Sequence, residues 1–237
     1  MTPEQMFGDL LAADPGRPFV TYYDERSAER AELSSKSLAN WVAKTHHLLI
    51  DELGLGVGTS AFIELPAHWI SVPALLGCLT AGLELAQAPQ RADVAFVSAD
   101  AVVNAGDVPD VYAVSTESPA SGFGTAVPAG AQDYVAAVRP QPDVWAGVRF
   151  GAGEHDPCIN GRTRAQVAAD ALARAAELGL HRGARVLSTR SWTGAADWID
   201  TLLAPLAVGG SVVYVRNCGD DETLERRAAQ ERVTNRL

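Results

Sequence analysis

The sequence predicts an α/β protein built on two packed, mainly parallel sheets. Strand-like apolar runs alternate with segments of helical spacing over most of the chain, the order that lays helices across parallel strands. These runs are bounded by Asp, Asn, Gly or Pro, residues that end strands and open turns. At 237 residues, 47% hydrophobic and 20% charged, the chain can bury a proper core as one large domain or two small ones. No internal repeat or low-complexity tail interrupts the pattern.

Thr2-Pro3-Glu4 reads as an N-cap, a proline at the first helical position and a first-turn acid, opening a short helix that Asp14-Pro15-Gly16 ends. PFVTYYD and ERAELS are two strands joined through polar residues 25–29. Ser34 or Ser35 caps the next helix. Within it Leu38, Trp41, Val42, Thr45, Leu49 and Leu53 recur at helical spacing, and Gly54, Gly56 and Gly58 break it. SAFIELP is a strand stopped by Pro66, and HWISVPALLGCLTAG is a helix apolar enough to be buried. LELAQ, DVAFVSA and VYAVST follow as strands, then a Gly-, Ala-, Pro- and Ser-rich surface loop over 119–130 and a turn or two of helix in DYVAAV. VWAGVRF reads as a strand, GAGEHDPCING as a glycine-containing turn and RTRAQVAADALARAAEL as a long helix. RVLST, a helix over Ala195 to Leu206, the strand SVVYV and the charged helix ETLERRAAQE complete the chain.

Charge narrows the function classes. Lys and Arg number 19 against 29 Asp and Glu, a net charge of −10 that argues against a nucleic-acid partner. The N-terminus is acidic and amphipathic rather than basic and then apolar, and no window is long and apolar enough for a membrane span. Cys78, Cys158 and Cys218 are far apart and odd in number, so a reduced, cytoplasmic setting is expected.

The stretch from Val144 to Ala176 carries the main functional question. A strand running through a glycine loop into a helix is the usual geometry for a phosphate, which backbone N–H groups and the helix dipole both attract. The side chains oppose that use. From Gly151 to Gly161 there is no Lys, Ser or Thr, while Glu154 and Asp156 would repel a polyphosphate.

Several pieces, in order, resemble the opening of adenylate-forming (AMP-binding, acyl-CoA synthetase-like) enzymes. They are Thr21 in the first strand, Glu32-Leu33-Ser34, Gly56-Val57-Gly58, Glu64-Leu65-Pro66 and Ala81-Gly82, with LLAPLAVGGSVVYV further on. The resemblance implies one AMP-binding-enzyme-like domain over residues 1–237, with a subdomain of 1–58 plus 190–237 and another of 59–189. It also implies that the chain is truncated: the adenine loop, the ribose-binding aspartate and the small C-terminal catalytic domain of a full enzyme are missing. In the family VWAGVRF would feed a Ser-, Thr- and Gly-rich phosphate loop ending in Pro-Lys-Gly. Here Gly151, Gly153, Glu154, Asp156 and Gly161 stand at degenerate positions of that loop, and Ile159 or a neighbour replaces the lysine. The lost groups are those that would neutralise ATP phosphates. No residue carries over as catalytic, and ATP binding is not expected.

Other features have plain structural readings beside functional ones. GAGEHD lacks the third glycine of a dinucleotide fingerprint. His155, Asp156 and Cys158 match no standard zinc spacing and read as a solvated loop, so no metal is expected. His46 and His47 read as surface or semi-buried helix positions, and Glu225, Arg226 and Arg227 as a solvated helix face. Trp192, Gly194 and Trp198 lie in the segment that lines the acyl pocket in the family; they are core packing or a retained apolar ligand cleft. The reading that follows is a non-catalytic cytoplasmic pseudoenzyme without cofactor, binding a small ligand or a protein partner, a second copy included. The competing reading is an acyl-activating enzyme completed by another chain.

Overall fold

The computed structural model describes residues 1–117, 119–148 and 150–237. Helix α1 (Pro3–Ala13) opens as a capping box, in which Thr2 and Gln5 each bond the other's backbone N–H. Strands β1 (Pro18–Asp24) and β2 (Glu29–Ser34) form an antiparallel hairpin, and the Ser34 side chain caps α2 (Ser35–His47). A π-helical turn, Leu48–Glu52, continues α2. Then come β3 (Ser60–Glu64), α3 (Ser71–Ala81), β4 (Glu84–Ala86), β5 (Val94–Ser98), β6 (Asp110–Val114), β7 (Gln132–Asp133) and α4 (Tyr134–Val138). A hairpin of β8 (Pro157–Ile159) and β9 (Arg162–Thr163) leads into α5 (Arg164–Glu177) and β10 (Arg185–Ser188). The next helix runs as α6 (Ala195–Trp198), a π turn (Ile199–Leu203) and α7 (Ala204–Ala207). The described chain ends with β11 (Ser211–Arg216), α8 (Asp221–Gln230) and β12 (Asn235–Arg236).

Two sheets result, in the orders β12-β10-β11-β1-β2 and β7-β6-β5-β3-β4-β8-β9. Among the described residues only the β1–β2 and β8–β9 pairs are antiparallel. Side chains alternate across the first sheet: Val20, Tyr22, Val212 and Tyr214 share one core with α1, α2, α3 and the inner face of the second sheet. Tyr23, Val213 and Val215 point the other way, where Ala228 of α8 covers them. Every residue of α3 is buried, which explains its lack of a polar face. The fold class read from the sequence is the one observed.

One reading needs correction. Among the described residues of 144–150 there is no strand, Arg149 lying outside them; Trp145–Gly147 is a 3-10 turn instead. Val144 is 61% exposed, while Trp145 packs edge-on against Phe7 at 5.1 Å. The place beside β4 is taken by β8, through Leu85 and Ile159. No strand therefore feeds the glycine loop, and α5 is entered from a hairpin.

Candidate functional site

The entry to α5 is closed by the chain itself. Asn160 and Gly161 both adopt positive φ, 51° and 78°, as a two-residue turn between β8 and β9 requires. Three first-turn amides of α5 are already accepted: Arg164 N–H by the Asp156 carbonyl at 3.0 Å, Ala165 N–H by the Glu154 carbonyl at 2.9 Å, and Gln166 N–H by Thr163 Oγ1 at 3.2 Å. Gln166 returns a bond to the Thr163 N–H at 2.8 Å, completing a capping box. In the loop, Gly153 N–H donates to Asp156 Oδ2 at 2.7 Å and Gly161 N–H to Glu84 Oε1 at 2.6 Å. The groups a phosphate would use, amides and the positive helix end, thus face carbonyls and carboxylates of this chain. Gly151 lies near Val57 Cγ2, on the surface beside half-exposed Phe150.

Trp192, Gly194 and Trp198 come together around a cleft of about 480 Å³ between the second sheet and the segment that follows β10. Its floor comes from the carboxyl ends of β3 and β4, with Ile63, Leu65 and Ala86; its polar lining is Glu64, Gln87, Asn160 and Thr193. Trp192 is held by its indole N–H, which donates to Thr201 Oγ1 at 2.8 Å, and stands edge-on to Tyr214 at 5.9 Å. Trp198 is 5% exposed. A Cβ built on Gly194 meets no atom within 4 Å, so the missing side chain leaves open space. Carboxyl ends of parallel strands are where α/β sheets take ligands.

The other candidates separate. Among the described residues no three His, Cys, Asp or Glu side chains are grouped to hold a metal ion. The His155 side chain is exposed and Cys158 is buried, so the two do not share a site. His46 is buried rather than semi-exposed, because α3 packs over that face of α2. Arg227 is not on a solvated face: it pairs with both oxygens of Glu25, at 2.7 and 3.1 Å, and lies 4.2 Å from the Tyr23 ring centroid. No helix among the described residues is long and apolar enough to cross a membrane.

No family model matches the chain. A Mycobacterium tuberculosis protein named only "TIGR03089 family protein" is 42% identical over 236 residues, covering 96% of this chain and 94% of that protein. An acyl-CoA synthetase from Brucella canis superposes with a TM-score of 0.74 at 16% identity, covering 100% of this chain and 47% of its own. A benzoate CoA ligase from Burkholderia xenovorans gives 0.72 at 13%, covering 99% and 49%. The anthranilate CoA ligase AuaEII, solved with anthranoyl-AMP, gives 0.68 at 14%, covering 90% and 44%. The fold is that of the N-terminal domain of adenylate-forming ligases, and the chain spans less than half the length of these structures.

Proposed function

The chain belongs to the family of the TIGR03089 family protein, and from that premise we propose that it is a non-catalytic binding protein on an adenylate-forming fold, holding a small, largely apolar ligand in the Trp192/Trp198 cleft. The observation that carries this reading is the closed entry to α5. Its first-turn amides and those of Gly153 and Gly161 are spent on carbonyls, carboxylates and the Thr163 hydroxyl, and no lysine or hydroxyl stands between Gly151 and Gly161. A triphosphate there would have to displace internal bonds and face Glu154 and Asp156 without a cation to neutralise it. The tryptophan cleft, in contrast, has apolar walls, a few polar groups and a volume within the range of small-molecule sites. A planar aromatic carboxylate, of the kind named for the benzoate and anthranilate ligases, suits those walls, with its polar end toward Gln87 and Asn160; Glu64, which also lines the cleft, accepts from Asn104 Nδ2 at 2.9 Å.

Calorimetric titration and tryptophan fluorescence test both halves. ATP·Mg is expected to give no binding and no acid-dependent ATP–pyrophosphate exchange. Benzoate or a short fatty acid is expected to change the Trp192 and Trp198 emission, and Gly194→Leu, which fills open space, to abolish the change while the fold persists. Micromolar ATP affinity would overturn the reading in favour of an acyl-activating enzyme completed by another chain.

A further inference from the structure

A larger, more polar cavity of about 890 Å³ lies at the carboxyl ends of strands from both sheets and shares no lining residue with the tryptophan cleft. β1 and β11 reach it at Asp24 and Arg216, and β5 and β6 at Ser98 and Val114. Asp24 and Arg216 are register partners across the parallel β1–β11 pair, yet they form no ion pair. Asp24 is instead occupied through Oδ1, by the Arg26 N–H and by Asn217 Nδ2, each at 2.8 Å. The half-buried Arg216 guanidinium has no hydrogen-bond or ion-pair partner among the described residues.

Tyr22 supplies a second, independent observation. It is 2% exposed, lines the cavity, and its hydroxyl likewise has no partner among the described residues. Asp24, Glu29 and Arg216 line the same cavity as Tyr22. The Tyr22 hydroxyl and the Arg216 guanidinium both lie on the cavity wall with donors uncommitted to the described residues, so a ligand entering the cavity meets two groups ready to donate. The rest of the lining selects what that ligand is. Glu29, Asp100 and Glu117 join Asp24 against Arg26 and Arg216, so four carboxylates surround two cations. A plain anion meets those carboxylates, and a plain cation meets Arg216. A molecule carrying both charges satisfies both.

We infer that this cavity binds a small zwitterion of the free amino-acid class, its carboxylate received by Arg216 and Tyr22 and its ammonium by the surrounding carboxylates. The test is calorimetric titration of the full chain with individual proteinogenic L-amino acids, with propionate and propylamine as single-charge controls. At least one amino acid is expected to bind, and neither control. Tyr22→Phe, which removes only the hydroxyl, and Arg216→Gln are each expected to weaken binding about tenfold or more. Gly194→Leu leaves it unchanged, which separates this site from the tryptophan cleft. Thermal melts establish that each variant is folded. Absence of binding by every amino acid, equal binding of propionate, or full affinity in a folded Tyr22→Phe variant would each overturn the inference.

Discussion

Arg164 Nη1 lies 2.5 Å from Glu4 Oε1, joining the first residues of α5 to the first turn of α1 with both side chains sealed from solvent. The same guanidinium donates to the Leu79 carbonyl at 2.8 Å and the Leu83 carbonyl at 3.1 Å, so it also closes the end of α3. Glu4→Ala leaves this cation buried without its counter-charge and is expected to cost about 3–5 kcal/mol. A Glu4→Leu/Arg164→Leu pair is expected to cost less than the sum of the single changes, since no lone charge remains. Urea unfolding measures both; a single-variant cost below about 1 kcal/mol would contradict a sealed ion pair.

Two buried histidines are expected to make the fold acid-labile. Burial, with the Arg216 charge nearby, pushes His68 down from the ordinary 6.5 to about 3; burial, with His47 beside it, pushes His46 down to about 4. Below about 6.5 the unfolded chain takes protons that the folded chain refuses. Their stability is therefore present above that value and lost as pH falls toward 4 and then 3. At pH 5 the loss is about 2 kcal/mol per histidine, relative to neutral pH. Urea melts at pH 7.5 and 5 are expected to show the combined drop, and His46→Gln to remove about half of it. Equal pH dependence in the variant and the parent counts against this account.

Thiol chemistry is expected to discriminate sharply. Burial pushes the Cys78 thiol well above its ordinary value and the Cys158 thiol up to about 12, while Cys218 is only half-buried. A chromogenic disulfide reagent is expected to label Cys218 alone in the native protein and all three cysteines in urea. Fast native labelling of Cys78 or Cys158 would show that those sites open readily.

We propose that residues of about 1–58 and about 190–237 form one subdomain and those between them the other, with β10 (Arg185–Ser188), the neighbour of β11 in the first sheet, falling to the first. β11 lies between β1 and β10, so deleting Ser211 to Leu237 removes an internal strand together with its α8 cover. The truncated chain is expected to lose the order of β1 and β2 as well. Near-native circular dichroism and an unshifted cooperative melt would refute the division.

Local chemistry made most of the architecture legible. Thr2-Pro3-Glu4 announces α1, Ser34 caps α2, and Gly82 ends α3 in the left-handed conformation that glycine adopts freely. VWAGVRF misled because an apolar run does not reveal whether a sheet has room for it; Trp145 packs against Phe7 instead. The better signal lay nearby, in the Asn160-Gly161 pair that specifies a tight hairpin. Glu154 and Asp156 were visible as a hostile charge, but their backbone carbonyls closing α5 were not. The Glu4–Arg164 pair spans 160 positions, a separation that local pattern cannot bridge. The uncommitted Arg216 was equally hidden, since every other arginine looks alike until partners are assigned.

The parallel pairing of β1 with β11 also sets a timetable for synthesis. β1 is complete at Asp24, and the neighbour that turns it into an internal strand begins only at Ser211. At roughly 5–20 residues per second the ribosome needs on the order of ten to forty seconds to make the intervening chain. The second sheet, finished by Thr163, has its strands in hand well before then. Through that interval the β1 edge that β11 will cover stays unpaired, open to other unfinished polypeptides. Protection by a chaperone, and the speed at which codons after Thr163 are read, are therefore expected to affect how much of the protein reaches its native state.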